Sequence, residues 1–186
     1  MNGKTSEMDM LHGPLSGKLL LFTLPIALSS IVQQLFNAAD TAVVGYFGSE
    51  GALAAVGTNT EIIALIVTLS SGLSIGANIL IANRIGRNET AELPAAVQTA
   101  MLLAALIGMA GLLLGQAAAA PLLELIQTPN SIFEEVALYL RFYMLGYLFL
   151  LLYDFGAAVL RARGDSRAPF LALMLSGAAN VGLNLF

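Results

Sequence analysis

Cysteine is absent from these 186 residues, and histidine occurs once. The first absence excludes disulfides and thiolate metal sites. The single histidine, His12, sits in a polar N-terminal tail, where a solvated side chain is expected rather than a ligand. Charge is also scarce. Only 11% of residues are charged and 58% are hydrophobic, against about 25% and 45–50% in a soluble domain. With a mean hydropathy of +0.82, the chain reads as an integral membrane protein. Net charge is −4 and no basic run is present, so nucleic acid is not an expected partner. The residues from Met1 to Pro14 are polar and of mixed charge, and the apolar run after them is too long for the core of a signal peptide. The chain contains no Ser-His-Asp set, no cluster of metal ligands and no phosphate loop. Gly45, Gly48 and Gly51 lack the strand and helix of a nucleotide fingerprint. Enzymatic chemistry is therefore not expected.

Four complete transmembrane helices and the start of a fifth can be drawn: Lys18–Gly45, Leu53–Ile85, Pro94–Ala120, Val136–Leu160 and Pro169–Phe186. Each complete span has the roughly 20 residues needed to cross about 30 Å of hydrocarbon. The fifth ends in mid-span, as a fragment would. The fold class is thus an all-α membrane bundle, with 1–17 as a cytoplasmic tail and 18–186 as a partial bundle. Lys4 and Lys18, then Arg84 and Arg87, then Arg161, Arg163 and Arg167 fall on one side, and only Arg141 departs from the pattern. The positive-inside rule places that side, and the N-terminus, in the cytoplasm of a multi-pass cell-membrane protein. Short loops make successive helices antiparallel neighbours. The segment Thr128-Pro129-Asn130-Ser131 is expected to stop one helix, with Asn130 or Ser131 capping a short helix that carries Glu134 and Glu135.

The informative residues are those that do not belong in lipid. Gln33, Asn37 and Asp40 are spaced i, i+4, i+7 in the first span, so they share one helical stripe, which Ser29 and Ser30 extend. A charge at membrane depth costs at least a few kcal/mol and is read as part of an ion or substrate pathway. In the fifth segment Ser176, Asn180 and Asn184 form a second stripe. Helix rise puts Asn184 about 23 Å from Pro169, at the expected depth of Asp40. The two stripes either line one cavity or join helices by hydrogen bonds. Asp154 lies about 10 Å inside the cytoplasmic end, where it either pairs with a basic loop residue or lines the inner mouth. Glu61 is expected to snorkel to water.

Other features have plainer readings. Gly72 and Gly76, in a patch with Ser70, Ser71, Ser74 and Ala77, carry the G-x-x-x-G spacing of close helix packing. Pro25 frees a backbone carbonyl and can kink the first span below the polar stripe. Tyr139, Tyr143 and Tyr147 share a face of the fourth span. Packing or an interfacial belt is the expected role, with an aromatic wall for cations as the alternative.

Taken in order, these motifs show a resemblance. Gln34-Leu-Phe-Asn-Ala-Ala-Asp40-Thr-Ala-Val-Val-Gly45 and Leu53-Ala-Ala-Val-Gly57 resemble the first helix and turn of multidrug and toxic compound extrusion (MATE) transporters. Gly72-Leu-Ser-Ile-Gly76-Ala-Asn with Ile85-Gly86, the run from Leu160 to Pro169, and Asn180-Val-Gly-Leu-Asn184 are similar to later segments of that family. The resemblance implies twelve helices in two bundles of six, this chain being part of the N-terminal one. It implies export of cationic amphipathic compounds against a H⁺ or Na⁺ gradient, with no other cofactor. It makes Asp40 the ion-coupling acid, joined by Asn180 and Asn184. With Na⁺, those three would be the metal ligands. Gln33, Asn37, Ser176 and Asp154 would line the cavity, with Pro25 as the kink. Two departures stand out: Asn184 where some members carry Asp, and Asp154 where close relatives are expected to carry an amide. The first leaves the coupling ion open. Membrane lipid, the cationic substrate and the missing C-terminal bundle are the implied partners. The alternatives are a lipid-linked oligosaccharide flippase of the same superfamily, which should carry more buried basic residues, and a truncated protein that transports nothing.

Overall fold

The structure, a computed structural model, describes residues 15–184. His12, Lys4 and the tail to Pro14 lie outside them. The elements are α1 (Leu15–Phe47), α2 (Glu50–Gly86), a 3₁₀ turn (Thr90–Glu92), α3 (Leu93–Leu125), α4 (Phe133–Leu145), α5 (Tyr147–Ala162) and α6 (Arg167–Asn184). Helices α1, α2 and α3 are each long and apolar enough to cross a membrane, and α4 and α5, bent by 43° at the break between them, reach that length and composition only as a pair. The 18 residues of α6 include Ser176, Asn180 and Asn184, and this helix does not join them on length and composition. Large apolar side chains face outward along the spans, with Leu20 75% and Leu114 68% exposed. That is unremarkable where the solvent is hydrocarbon, because lipid-facing leucine is not penalised.

The fourth span corrects the single helix expected from Val136 to Leu160. It breaks at Gly146, whose N–H bonds to the Tyr143 carbonyl three residues back at 3.0 Å, short of a full α-turn. The bend presses Met144, Tyr147 and Leu148 into α3. There Gly108, Gly111 and Gly115, spaced i, i+3, i+7, form one bare face. A Cβ at Gly108 would stand 3.0 Å from the Leu148 Cα, one at Gly111 would run into the Tyr147 ring, and one at Gly115 would run into Met144. This is the close glycine packing expected at Gly72 and Gly76, where a Cβ would meet nothing within 4 Å. Around it, Ala96, Ala100 and Ala104 of α3 share the core with Leu151, Phe155 and Val159 of α5, joined by Val136 and Leu140 of α4 and Ile81 of α2.

Helix α1 stands apart from that core. It runs unbroken through Pro25, so the sharp break in this bundle lies at Gly146 and not in the first span. Ser29 Oγ donates to the Pro25 carbonyl at 2.7 Å. The helix packs chiefly against α6, with a lesser contact to α2, and the Phe36 ring lies over buried Gly177 where no Cβ would fit.

The turns are tightly specified. Asn88, Gln127 and Gly164 take left-handed φ values of 58°, 56° and 85°. Each closes a Schellman pair of bonds, such as Asp165 N–H to the Leu160 carbonyl and Gly164 N–H to that of Arg161, both 3.0 Å. Asp165 then accepts from the N–H groups of Arg167 and Ala168 at 2.9 and 3.0 Å, capping α6. The Asn130 or Ser131 cap does not form. α4 begins at Phe133 with Ile132 in the cap position and no side-chain cap, because the Pro129 carbonyl takes the Ile132 N–H in a turn at 3.1 Å. The Glu135 carboxylate instead lies over Gly51 at the start of α2, where a helix N-terminus favours negative charge.

Two substitutions separate these constraints. Gly111→Leu overpacks the bend and should lower stability by about 1–3 kcal/mol. Gln127→Gly relieves a left-handed non-glycine residue and should raise it by up to about 1 kcal/mol. Thermal unfolding in detergent reads both.

Candidate functional site

The candidate site is built on the contact between α1 and α6. The Phe36 ring of α1 lies on Gly177 of α6. Asp40 is one turn beyond Phe36 in α1, and Asn180 nearly one turn beyond Gly177 in α6. Asp40 is half-buried, while Gln33, Asn37, Ser176 and Asn180 are exposed on the faces of the two helices. Asn37 Nδ2 donates to Gln34 Oε1 at 3.3 Å, and Ser176 Oγ turns back to the Leu173 carbonyl at 3.0 Å. Asp40 and Asn180 both have polar or electrostatic partners in the structure. Asn184 closes α6, and its side chain lies outside the described part of the structure.

From Asp40 a line of polar groups continues onto the bent span. Tyr139 of α4 lies within electrostatic reach of Asp40. Tyr143 lies within reach of Tyr139, Tyr147 and Asp154. Tyr147, the first residue of α5, is buried and takes a hydrogen bond from Ser70 Oγ at 3.2 Å. Asp154, two turns further along α5, has an enclosed Oδ2 with no hydrogen-bond partner, as does Nε of Arg161 two turns beyond it. Arg161 acts on the Asp154 charge. The result is a lane in the electrostatic sense, a row of side chains with a carboxylate near each end and phenols between them, of which Tyr147 has its ring packed on Gly111 of α3. Oxygen donors of this kind suit a proton or a hard cation, and phenol faces suit an organic cation. Among the described residues no three His, Cys, Asp or Glu side chains gather as a metal cluster, so a sodium ion here would rest on one carboxylate and amide oxygens.

Three amides tie the bent span to α2 and α3, and of these the sequence reading named only Asn78, as part of a motif and without a role. Asn59, fully buried on α2, donates to the carbonyls of Ala55 at 3.0 Å and Val136 at 2.9 Å. Asn78 donates to the Ala158 carbonyl at 2.8 Å. Gln116 of α3 donates to the Arg141 carbonyl at 2.7 Å. They fix the bent span near its two ends and in the middle of α4. Their signal was an amide inside an otherwise apolar helix, the same signal that marked Asn37. Glu61 is exposed.

Comparison with known proteins identifies the family and the fold. The MatE family model matches residues 25–186. This chain belongs to the MatE family. The MatE chain is 29% identical over 163 residues to a probable multidrug resistance protein, YoeA, of Bacillus subtilis strain 168, covering 88% of this chain and 35% of that one. It is 25% identical over 175 residues to an FAD transporter of Shewanella oneidensis, covering 94% and 38%. It therefore spans little more than a third of these relatives. A solved structure described as the outward-facing conformation of a multidrug resistance MATE family transporter superposes with a TM-score of 0.88 at 24% identity, over 98% of this chain and 40% of that one. That likeness establishes the fold: a MatE helical membrane bundle.

The amide clamps are testable in isolation. Asn59→Ala should cost about 0.6–1.7 kcal/mol, the range for hydrogen bonds between membrane helices. Glu61→Gln, on the same helix but exposed, should stay within about 0.5 kcal/mol. Denaturation in mixed micelles distinguishes the two.

Proposed function

We propose that this chain supplies the ion-coupling bundle of an antiporter that exports cationic amphipathic compounds by alternating access, driven by H⁺ or Na⁺. The N-terminus faces the cytoplasm, the side on which basic residues concentrate. The rest of the path comes from sequence that the longer relatives possess. The observation that carries this reading is the position of Asp40: a half-buried carboxylate on a long apolar helix that packs against α6, the helix of Asn180, and within electrostatic reach of Tyr139.

The mechanism makes α1 the moving element, because among the described residues the buried core is built by α2 to α5 and α1 adds nothing to it. A negative Asp40 favours a polar, hydrated arrangement around it. Uptake of a proton or Na⁺ neutralises the charge and removes that preference. The helix then moves against the fixed α2–α5 core, with Pro25 as the hinge, since the Leu21 carbonyl has lost its usual helical donor there. Substrate and ion compete for one acidic lane, so loading the ion releases the cation outward. Asn180 and Asn184 add oxygen ligands, and Gln33, Asn37, Ser176 and Asp154 line the lane.

Asp40→Asn fixes the neutral state and should abolish gradient-driven export of a cationic dye such as ethidium, with the variant still present in the membrane. The assay uses everted vesicles carrying the product of the native gene. Undiminished, ion-driven export by that variant would sink the proposal. An anionic substrate such as FAD should not compete with the dye. Competition by FAD would mean that the lane selects on grounds other than charge.

A further inference from the structure

A second concave feature shares no residue with the acidic lane. Between α2 and α3 runs a furrow of about 580 Å³, walled by Gly76, Leu80, Ala96, Thr99 and Leu103 and floored by Phe155 of α5. Its width comes from small residues. At Gly76 a Cβ would meet nothing within 4 Å, and Ala96 and Thr99 stand opposite with short side chains. One end of the furrow is closed by a different chemistry, the ion pair between Arg84 and Glu92.

Its length fits one leaflet. From Leu73 to Arg84, the limits of its α2 wall, the rise is roughly 16 Å, and the hydrocarbon of one leaflet is about 15 Å deep. The polar end lies at the basic end of the bundle, where Arg84 and exposed Arg87 stand with the exposed carboxylates of Glu89 and Glu92. The Arg84 side chain keeps 31% of its surface exposed, and Glu92, 64% exposed, holds it without burying it. A guanidinium can take phosphate oxygens in the same forked geometry in which it takes a carboxylate.

We propose that this furrow is a lipid site. It seats one acyl chain of an anionic phospholipid from the leaflet at the basic end, and the lipid's phosphate replaces Glu92 on Arg84. The apolar walls require a hydrocarbon chain, the depth matches a single leaflet, and the wider basic end of the bundle, which also carries Arg161, Arg163 and Arg167, favours an anionic headgroup over a zwitterionic one. Glu92 is the competitor that makes occupancy responsive to the lipid present.

The test places the native gene product in nanodiscs of phosphatidylglycerol and phosphatidylcholine. Trace amounts of either lipid carry a photoactivatable group on the acyl chain, and labelled peptides are mapped by mass spectrometry. The peptide containing Ala96–Leu103 reports the furrow. The peptide containing Leu113 and Leu114, 61% and 68% exposed, reports ordinary surrounding lipid and confirms that each variant is folded in the bilayer. Phosphatidylglycerol should label the furrow in preference to phosphatidylcholine. Arg84→Gln should cut that preference about fivefold, the worth of one arginine near an anionic surface. Glu92→Gln should raise it, because the competitor is gone. Thr99→Phe should fill the furrow and move labelling to the reference peptide. Equal labelling by the two lipids overturns the proposal. So does a shift in the same direction in Arg84→Gln and Glu92→Gln, which would make the ion pair purely structural. A reference peptide that labels while the furrow does not would mean that protein covers the furrow.

Discussion

The close approach of the fourth span to α3 governs the rest of the bundle. Three glycines on one face of α3 let Met144, Tyr147 and Leu148 come down to near backbone distance. In a membrane there is no hydrophobic drive between helices, and contact of this kind has to be made by packing and hydrogen bonds. The bend at Gly146 carries Tyr147 into that groove and leaves Tyr139 and Tyr143 on the lane. The carbonyls of Val136, Arg141 and Ala158 then fall where Asn59, Gln116 and Asn78 reach them. Without the glycine face, a straight fourth helix would stand off from α3 and the amides would have no partners across the gap.

Among the described residues, helices α2 to α5 form a packed, hydrogen-bonded block that holds the buried core. α1 packs mainly on α6, where the Phe36 ring lies over Gly177. Asp40 lies on α1 and Tyr139 on the block. Under the proposed mechanism, a change of charge at Asp40 would act where the two meet.

Much of this was legible in the sequence, for physical reasons. Hydrophobic runs of the right length gave the membrane class and the helix order, because hydrocarbon tolerates little else. The polar stripe Gln33, Asn37, Asp40 stood out because every polar residue in such a helix requires a partner. The motifs from Gln34 to Asn184 resembled the family that the comparisons then identified. The break at Gly146 was hidden because its cause lies on α3, not near residue 146. Hydropathy averages across a bend, and one glycine in an apolar helix is ordinary. The glycine spacing at Gly72 and Gly76 pointed to the wrong seam, since spacing shows which residues share a face but not what faces them. The contact between α1 and α6 was hidden as well, because it rests on the Phe36 ring lying over Gly177 and no count of helix rise reveals such a pairing.

The break has a consequence for how such a chain is assembled. α4 has 13 residues and α5 has 16, so they extend roughly 20 Å and 24 Å, each short of about 30 Å of hydrocarbon. Neither is a stable crossing by itself. The carbonyls that receive the amides of Asn59, Asn78 and Gln116 are on this span, and the donors are on helices synthesised earlier. The bent pair thus draws its interhelical amide bonds from α2 and α3, both of which precede it in the chain. The order of synthesis and the order of dependence run the same way along the chain.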